Sequence, residues 1–310
     1  MIGGDMLAVV PHLTAGLRRG TGALFALALT GCVAPAAGLS PVSPPAPAPA
    51  SPPAPLPPAR IEIDATGSQG GLLLGTAPVG TARLTKDGEV IPVAADGRFL
   101  IAFDRDAGST STLTAQLRDG RTATHTIAVA PRAWRIERLN RVAKYPVPSA
   151  DFQRRRPAEL EQIAAARAQS SDVAGWRQRL IWPVTGRISG LFGAQRIYRG
   201  EPGSYHSGVD VARPTGTPVV APADGVVVLA AESPFTLEGN LLIIDHGMGL
   251  NSAFLHLSRI DVPVGARVRQ GEKVGAIGAT GRASGPHLHW AMKWRDARID
   301  PLLIAGPMPE

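Results

Sequence analysis

The hydrophobic and polar residues of this chain alternate in short runs that are separated by turn residues. The run Arg60-Ile61-Glu62-Ile63 is the first of these, and similar runs continue to residue 130. An alternation with a period of two places every second side chain on the same face of a strand. Asp96-Gly97 and Asp119-Gly120 are typical of tight hairpin turns. We therefore predict about six or seven short strands over residues 60–132, arranged as a small antiparallel immunoglobulin-like sandwich.

A second series of short hydrophobic runs begins near residue 181 and ends near residue 304. The segment 219–229 contains two such runs around the turn Asp224-Gly225, and further runs follow it. The helical period is scarce throughout this region. We therefore predict an all-β fold class, with a second antiparallel β-sheet domain at 181–304 and a tail at 305–310.

The segment 133–180 connects the two predicted domains and carries the clearest helical pattern. Pro157 suits the first turn of a helix, so we predict that a helix begins there. The side chains expected to share one face of it are Leu160, Ile163, Ala164 and Arg167. The run Arg154-Arg155-Arg156 before the helix could contact an anionic polymer, or it could be a solvated approach to the helix.

Residues 1–31 have the features of a bacterial signal peptide. Arg18 and Arg19 form a positive region, and 23–29 is an apolar core that is too short to span a bilayer. The sequence Leu29-Thr30-Gly31-Cys32 resembles a lipobox, where a lipoprotein is cleaved and acylated at the new N-terminal cysteine. Cys32 is the only cysteine in the chain and can form no internal disulfide. An ordinary signal peptide with a chance cysteine is the alternative.

The segment 32–59 after this cysteine is rich in proline and alanine. Such a sequence cannot build a core, and we predict an extended tether that lifts the rest of the chain away from a membrane. More than one acyl chain on Cys32 would anchor the chain stably. By resemblance to lipoproteins, an acidic residue directly after the acylated cysteine would be a signal for retention in the inner membrane. Val33 occupies this position and is not acidic. We expect the periplasmic face of the outer membrane if the organism has two membranes.

The chain is basic, with a net charge of +7 and an isoelectric point near 10.3. This charge suits an acidic partner such as an anionic envelope polymer, a membrane surface or nucleic acid. However, the basic residues are scattered and accompany no recognisable nucleic-acid-binding module, so we expect no nucleic-acid partner. A generic solvated surface remains an alternative explanation.

The candidate chemistry lies in the histidines of the second domain. His287 and His289 would point to the same face of a strand, and His206 and Asp210 would flank a turn into another strand. His256 lies in a largely apolar run, where a lone histidine is usually part of a core. Imidazole and carboxylate groups without a thiolate are typical of a catalytic zinc site with an open position. Solvated polar residues on a strand are the alternative for the histidine pair.

These histidines occur in an order and spacing that resemble the LytM/lysostaphin-type zinc metallopeptidases, which cut peptide bonds in bacterial peptidoglycan. The resemblance covers residues 183–303. Its three parts are His206-x-x-x-Asp210, His256 in a Leu-His-Leu-Ser run, and His287-x-His289. Matching turns lie at 214–219, 223–225 and 278–281.

The resemblance implies that His206, Asp210 and His289 bind one Zn²⁺ ion in this domain. It also implies that His256 and His287 are the catalytic pair. His287 is then the expected general base, while His256 would orient the water or stabilise the oxyanion, although the two roles could be exchanged.

Three further positions need comment. Phe254 stands where the family often has tyrosine, and we expect this difference to affect packing or substrate contact rather than metal binding. His246 matches the family at a turn that carries no assigned role, and His125 alternates within a strand of the first domain. We interpret both histidines as structural.

The predicted function is that of a zinc-dependent endopeptidase, a lipoprotein that hydrolyses peptide cross-links of peptidoglycan in cell-wall remodelling or growth. A D-alanyl to meso-diaminopimelate cross-link is expected in a cell with two membranes, whereas glycine bridges belong to other relatives. The alternative is a non-catalytic envelope lipoprotein of the same fold that binds the wall and activates a murein amidase. A wall-hydrolase or envelope protein partner is possible in both cases.

Overall fold

The computed structural model describes residues 57–141 and 149–309, which belong to one compact unit, Leu56–Glu310. Strands dominate the described residues, so the all-β fold class is confirmed. No helix among these residues is long and apolar enough to cross a membrane. The predicted signal peptide, Cys32 and the tether as far as residue 56 lie outside the described residues.

The N-terminal domain contains eight strands in two sheets. They are β1 (Glu62–Ile63), β2 (Gly67–Ser68), β3 (Leu72–Thr76), β4 (Thr81–Lys86), β5 (Glu89–Ile91), β6 (Arg98–Ala102), β7 (Thr110–Leu117) and β8 (Thr122–Ala130). One sheet has the order β1-β3-β6 and the other the order β2-β8-β7-β4-β5. Phe99, Ile101 and Leu113 are fully buried in the core.

The pairing of β2 with β8 is an exception within the predicted antiparallel sandwich, because these two strands run parallel. The strand β2 is only two residues long and adds to the edge of β8 that β7 leaves free. A strand of two residues is too short for hydrophobic alternation to predict it. The immunoglobulin-like topology of the domain stays a prediction.

After β9 (Ile136–Leu139), helix α1 (Ala150–Ala168) connects the domains, and it begins earlier than predicted. Ser149 caps its first turn by accepting a hydrogen bond from the backbone N–H of Phe152, and Pro157 lies inside the helix. The predicted apolar face is wrong in part, since Leu160 is 50% exposed whereas Glu159 is buried. The helix is oriented by polar contacts of Glu159 that apolar periodicity does not reveal.

The C-terminal domain begins after a short 3-10 helix (Gly175–Arg177). Its strands are β10 (Arg187–Gly190), β11 (Gln195–Tyr198), β12 (Glu201–Pro202), β13 (Val209–Ala212), β14 (Pro218–Val220), β15 (Gly225–Ala230), β16 (Asn240–Asp245), β17 (Leu250–Ile260), β18 (Arg267–Val268), β19 (Lys273–Ile277), β20 (His287–Trp294) and β21 (Ala297–Ile299). Helix α2 (Pro301–Ala305) follows. The main sheet has the order β10-β13-β20-β17-β16-β15-β18, with β14, β19 and β21 attached to it. The strands β9, β11 and β12 form a separate small sheet.

The two faces of the main sheet have different partners. Alternate residues of β20, such as Leu288 and Trp290, are fully buried in the core on one face. His289 and Ala291 point to the opposite face, and Ala291 contacts the apolar cluster that contains Ala166 of helix α1. Helix α1 therefore covers part of the sheet face that carries the candidate site.

Candidate active site

Antiparallel strand pairing brings His289 and Asp210 together. The strands β13 and β20 are neighbours, and Asp210 lies directly opposite His289 in their register. Residues that are opposite each other on paired strands point to the same face, with their Cβ atoms about 5 Å apart. His206 lies four residues before Asp210, outside the strands, and its ring reaches the same place.

Three ligand atoms meet at this point. His206 Nε2 lies 3.1 Å from Asp210 Oδ1 and 3.0 Å from His289 Nδ1, while His289 Nδ1 lies 2.8 Å from Asp210 Oδ1. Donors around a tetrahedral zinc ion with bonds of about 2.0–2.1 Å would be about 3.3 Å apart. The spacing of the three atoms therefore fits one metal ion after a small expansion.

The hydrogen bonds of His206 also indicate a cation. Its Nδ1 lies 3.0 Å from the backbone carbonyl of Leu191, which can only accept, so Nδ1 carries a hydrogen. In a neutral ring Nε2 is then an acceptor, and it faces the acceptor Oδ1 of Asp210. This contact is favourable only when a proton or a metal ion lies between the two atoms.

The pKa values in this group follow from the same contacts. Burial would raise the pKa of Asp210, but hydrogen bonds from His206 and His289 hold it well below its usual range. Burial would lower the pKa of His206, yet the hydrogen bond with Asp210 and the negative charge of Asp210 raise this pKa above its usual value. For His289 burial prevails and lowers the pKa. The carboxylate therefore stays ionised and available as a metal ligand.

His287 and His256 lie beside these three residues. His287 Nδ1 is 2.8 Å from the carbonyl of Gly285, and its Nε2 is 3.7 Å from Asp210 Oδ1. The ring centroid of His256 is 4.9 Å from that of His287 and 6.2 Å from that of His289. All five histidine and aspartate positions singled out in the sequence are thus brought together.

A β-bulge aims His256 into the site. The pairs Asn240 with Leu257 and Leu242 with Phe254 leave two residues of β17 opposite one residue of β16. His256 has a φ of +63°, in the left-handed region that only a small fraction of non-glycine residues adopt. Regular alternation would turn its ring into the core, as the apolar run suggested. The bulge turns it towards His287 instead.

The tautomer of His256 is set by a backbone carbonyl. Its Nδ1 lies 2.8 Å from the carbonyl of Thr280 and must therefore donate, which leaves Nε2 as the free nitrogen. Burial lowers the pKa of His256 to about 4, and the neighbouring His289 and His287 act in the same direction. The ring is therefore neutral at physiological pH, and Nε2 can accept a hydrogen bond.

Two glycines that the sequence did not single out make room for the ligands. A Cβ at Gly190 would lie 2.3 Å from Asp210 Oδ2, and a Cβ at Gly208 would lie 2.8 Å from His289 Nε2. Neither position has a sequence signal that separates it from the many turn glycines. The carbonyls of Leu191 and Thr280 have no signal either, because every residue carries one.

The structure places Phe254 and His246 away from this chemistry. Phe254 is fully buried between β16 and β20, so its difference from tyrosine concerns packing and not substrate contact. His246 is also fully buried, where Nδ1 lies 2.8 Å from the Asp224 carbonyl and Nε2 lies 2.8 Å from Ser252 Oγ. Its two ring nitrogens are both used within the core.

Comparison with known proteins agrees with this geometry. Residues 204–301 match the family described as Peptidase family M23. The peptidoglycan DD-endopeptidase ShyA of Vibrio cholerae is 39% identical over 126 residues, which are 39% of this chain and 28% of ShyA. The DD-carboxypeptidase/endopeptidase Mpg of Neisseria meningitidis is 39% identical over 128 residues, or 40% of this chain and 28% of Mpg. The chain thus spans about a quarter of the length of these curated relatives.

A solved structure extends the likeness beyond the C-terminal domain. The crystal structure of a putative peptidase M23 from Pseudomonas aeruginosa is 29% identical, with a TM-score of 0.61. The match covers 78% of this chain and 96% of that one, so it includes strands of the N-terminal domain. The resemblance drawn from the histidine motifs is confirmed. Within the C-terminal domain, residues 204–301 match peptidase family M23, the LytM-type peptidases.

Proposed function

We propose that this chain is a zinc-dependent endopeptidase that hydrolyses peptide cross-links of bacterial peptidoglycan. The observation that carries the proposal is the convergence of two imidazole nitrogens and one carboxylate oxygen, at mutual distances of 2.8–3.1 Å, beside two further histidines. Three protein ligands and an open position are the arrangement of catalytic rather than structural zinc sites.

In this proposal His206, Asp210 and His289 hold the zinc ion. When bound, zinc lowers the pKa of a coordinated water and polarises a carbonyl as a Lewis acid. His287 presents Nε2 towards the ligand group, since its Nδ1 donates to the carbonyl of Gly285, and it accepts the proton of the attacking water. His256 lies beside His287, with ring centroids 4.9 Å apart, and its Nδ1 is used by the carbonyl of Thr280. It orients the water or stabilises the oxyanion.

The substrate class comes from the relatives. ShyA is named a peptidoglycan DD-endopeptidase and Mpg a DD-carboxypeptidase/endopeptidase. We infer that this chain acts on the peptide cross-links of the wall, with the D-alanyl to meso-diaminopimelate bond as the first candidate. Acylation at Cys32 and the tether up to residue 59 would hold the enzyme at the envelope, on the periplasmic face of an outer membrane.

The other candidate is a non-catalytic envelope lipoprotein that binds the wall and activates a murein amidase. A protein with that role needs neither a metal nor a general base. Here all five positions are present, and three of their ligand atoms lie close enough together to hold one metal ion. This complete set favours the enzyme.

The test is hydrolysis of purified cross-linked peptidoglycan by the full chain, with and without a chelator. We expect new uncross-linked muropeptides that disappear on chelation, that return when zinc is restored, and that are absent with His206→Ala. A zinc-loaded chain that cleaves nothing would contradict the proposal. Activation of an amidase by such a chain would instead establish the non-catalytic role.

A further inference from the structure

We propose that Asp104 and Arg105 of the N-terminal domain are positioning residues for His206, a metal ligand in the other domain. Both lie in the loop between β6 and β7. The inference rests on the proposed zinc site, but it assigns a role to a domain in which the sequence indicates no chemistry. That domain would be part of the metal site's support and not only a spacer.

His206 needs support that the other two ligands do not need. Asp210 and His289 lie on paired strands, whose backbone hydrogen bonds fix their positions. His206 lies in the irregular segment before β13, outside any strand. A ligand that is not fixed in advance must be ordered when the metal binds, and this ordering lowers the affinity.

The segment 191–195 provides the first support. The backbone N–H of His206 donates to the carbonyl of Ala194 at 2.8 Å, and the N–H of Gly193 donates to the carbonyl of His206 at 2.8 Å. The ring itself donates to the carbonyl of Leu191. The position and the tautomer of His206 therefore both depend on where this segment lies.

Arg105 fixes that segment from the neighbouring domain. Its side chain is buried, Nε donates to the carbonyl of Gly193 at 3.0 Å, and Nη2 donates to Oε1 of Gln195 at 3.1 Å. The guanidinium also lies over two aromatic rings, 5.3 Å from the centroid of Trp134 and 4.9 Å from that of Tyr205. A planar group that uses both its edge and its faces in this way has little freedom to move.

Asp104 provides a second and separate connection to His206. The hydroxyl of Tyr205, the residue before His206, donates to Oδ1 of Asp104 at 2.9 Å. The other carboxylate oxygen accepts the backbone N–H of Arg298 in β21, at 3.0 Å. Asp104 thus links the segment of His206 to the main sheet.

The experiment measures the dissociation constant for Zn²⁺ by competition with a chromophoric chelator, using the full chain. Arg105→Ala is the main variant, and Arg105→Lys is a partial rescue because a single ammonium can reach only part of the two acceptors. The matched control is Arg177→Ala. Arg177, in the 3-10 helix that precedes the C-terminal domain, pairs with Asp96 of the N-terminal domain at 2.9 Å and forms no hydrogen bond with the segment 191–195 among the described residues.

We expect Arg105→Ala to weaken zinc binding about tenfold, in the range known for residues that orient metal ligands. Arg105→Lys should lie between this variant and the wild type, and Arg177→Ala should differ from the wild type by less than about twofold, because removing exposed ion pairs has small effects. Tyr205→Phe, which keeps the ring and loses only the hydroxyl, should also weaken binding. Thermal unfolding of each variant shows that it is folded.

An Arg105→Ala chain that is folded and binds zinc with the wild-type constant would overturn the inference. If Arg105→Ala does not fold, the zinc affinities of Arg105→Lys and Tyr205→Phe provide the test. Wild-type affinity in both of these variants would overturn the inference. A wild-type chain that binds no zinc would instead refute the proposed function. Zinc binding without peptidoglycan cleavage would refute only the catalytic role, and the affinities would still test the support of His206.

Discussion

The side chain of Glu238 accepts two hydrogen bonds from the guanidinium of Arg156, at 2.6 and 2.8 Å. The backbone carbonyl of Glu238 accepts the N–H of His256 at 2.8 Å. Helix α1 is therefore connected through one ion pair to the bulge that aims a proposed catalytic histidine. Because a φ of +63° is unfavourable for histidine, the surrounding structure must hold it.

We expect Arg156→Ala to lower the rate of peptidoglycan hydrolysis by about tenfold to a hundredfold, as misplacement of a catalytic group by about 1 Å does. Its affinity for zinc should remain close to that of the wild type, since none of the three ligands contacts this pair. The measurements are kcat on cross-linked muropeptides and the dissociation constant for zinc.

The matched control for that substitution is Arg154→Ala, in the same arginine run. The side chain of Arg154 is 71% exposed and, among the described residues, pairs with Asp151 of its own helix, whereas the side chain of Arg156 is 15% exposed. Arg154→Ala should leave kcat unchanged. Equal losses in the two variants would show that a general effect of the basic helix, and not the Arg156–Glu238 pair, is responsible.

Gly190→Ala tests the space beside the metal site. The added Cβ would lie 2.3 Å from Asp210 Oδ2 and 3.0 Å from His206 Cε1, so two ligands must shift. We expect zinc binding to weaken by about tenfold or more. The control is Gly285→Ala, two residues before His287, where an added Cβ meets nothing within 4 Å. Competition with a chelator measures both, and equal affinities would contradict the crowding argument.

Alanine substitutions distinguish the proposed catalytic pair, His256 and His287, from the proposed metal ligands. His256→Ala and His287→Ala should each lower kcat by about 10²–10⁴-fold, the range for a general acid or base, and both should still bind zinc. His289→Ala should lose zinc binding as well. If either variant of the pair lost zinc binding to the same degree as His289→Ala, that residue would have to be assigned as a ligand.

Much of this site could be predicted from the sequence because it depends on the spacing of residues that are close together in the chain. The spacing of His287 and His289 places both rings on one face of a strand, and the register of β13 against β20 then follows from burying Val209, Val211 and Leu288 in the core. By contrast, His256 reaches the site through a bulge. An alternation rule assigns it to the core, and only the resemblance to a family corrected that assignment.

The polar contacts between segments that are distant in the chain could not be predicted. Arg105 and Gly193 are 88 positions apart, and Arg156 and Glu238 are 82 apart. Neither arginine differs in sequence from the many solvated ones. The same reason explains the error in helix α1, where Glu159 is buried because it accepts hydrogen bonds from Thr236, and no apolar pattern records such a partner.

Zinc should stabilise the folded chain. A ligand that binds only the folded state adds about 2.7 kcal/mol at a free concentration of one hundred times its dissociation constant. We expect the melting temperature to rise with zinc concentration and to fall on chelation. Asp210→Asn should abolish this dependence, because the amide carries no charge to balance the ion. A dependence that persists in the variant would place the zinc elsewhere in the chain.

The buried His246 should make the stability of the folded chain depend on pH. Its ring is fully buried, and burial lowers its pKa, outweighing the carbonyl of Asp224 and the charges of Asp245 and Asp224. Above a pH of about 6.5 the ring is neutral in both the folded and the unfolded chain. Below that pH the unfolded chain binds a proton at this position and the folded chain does not. Stability is therefore lost as the pH falls from about 6.5 towards the depressed pKa of the folded state.

The test compares melting temperatures between pH 5 and pH 7.5 for the wild type and His246→Gln, both with a chelator so that zinc binding does not contribute. The wild type should lose more stability than the variant as the pH falls, because glutamine has no proton to bind. His125→Gln, at a partly exposed histidine of β8, is the control for loss of an imidazole. Parallel curves for the wild type and His246→Gln would mean that the buried ring is protonated in the folded chain. The Ser252 hydroxyl would then have to accept a hydrogen bond from Nε2 instead of donating one.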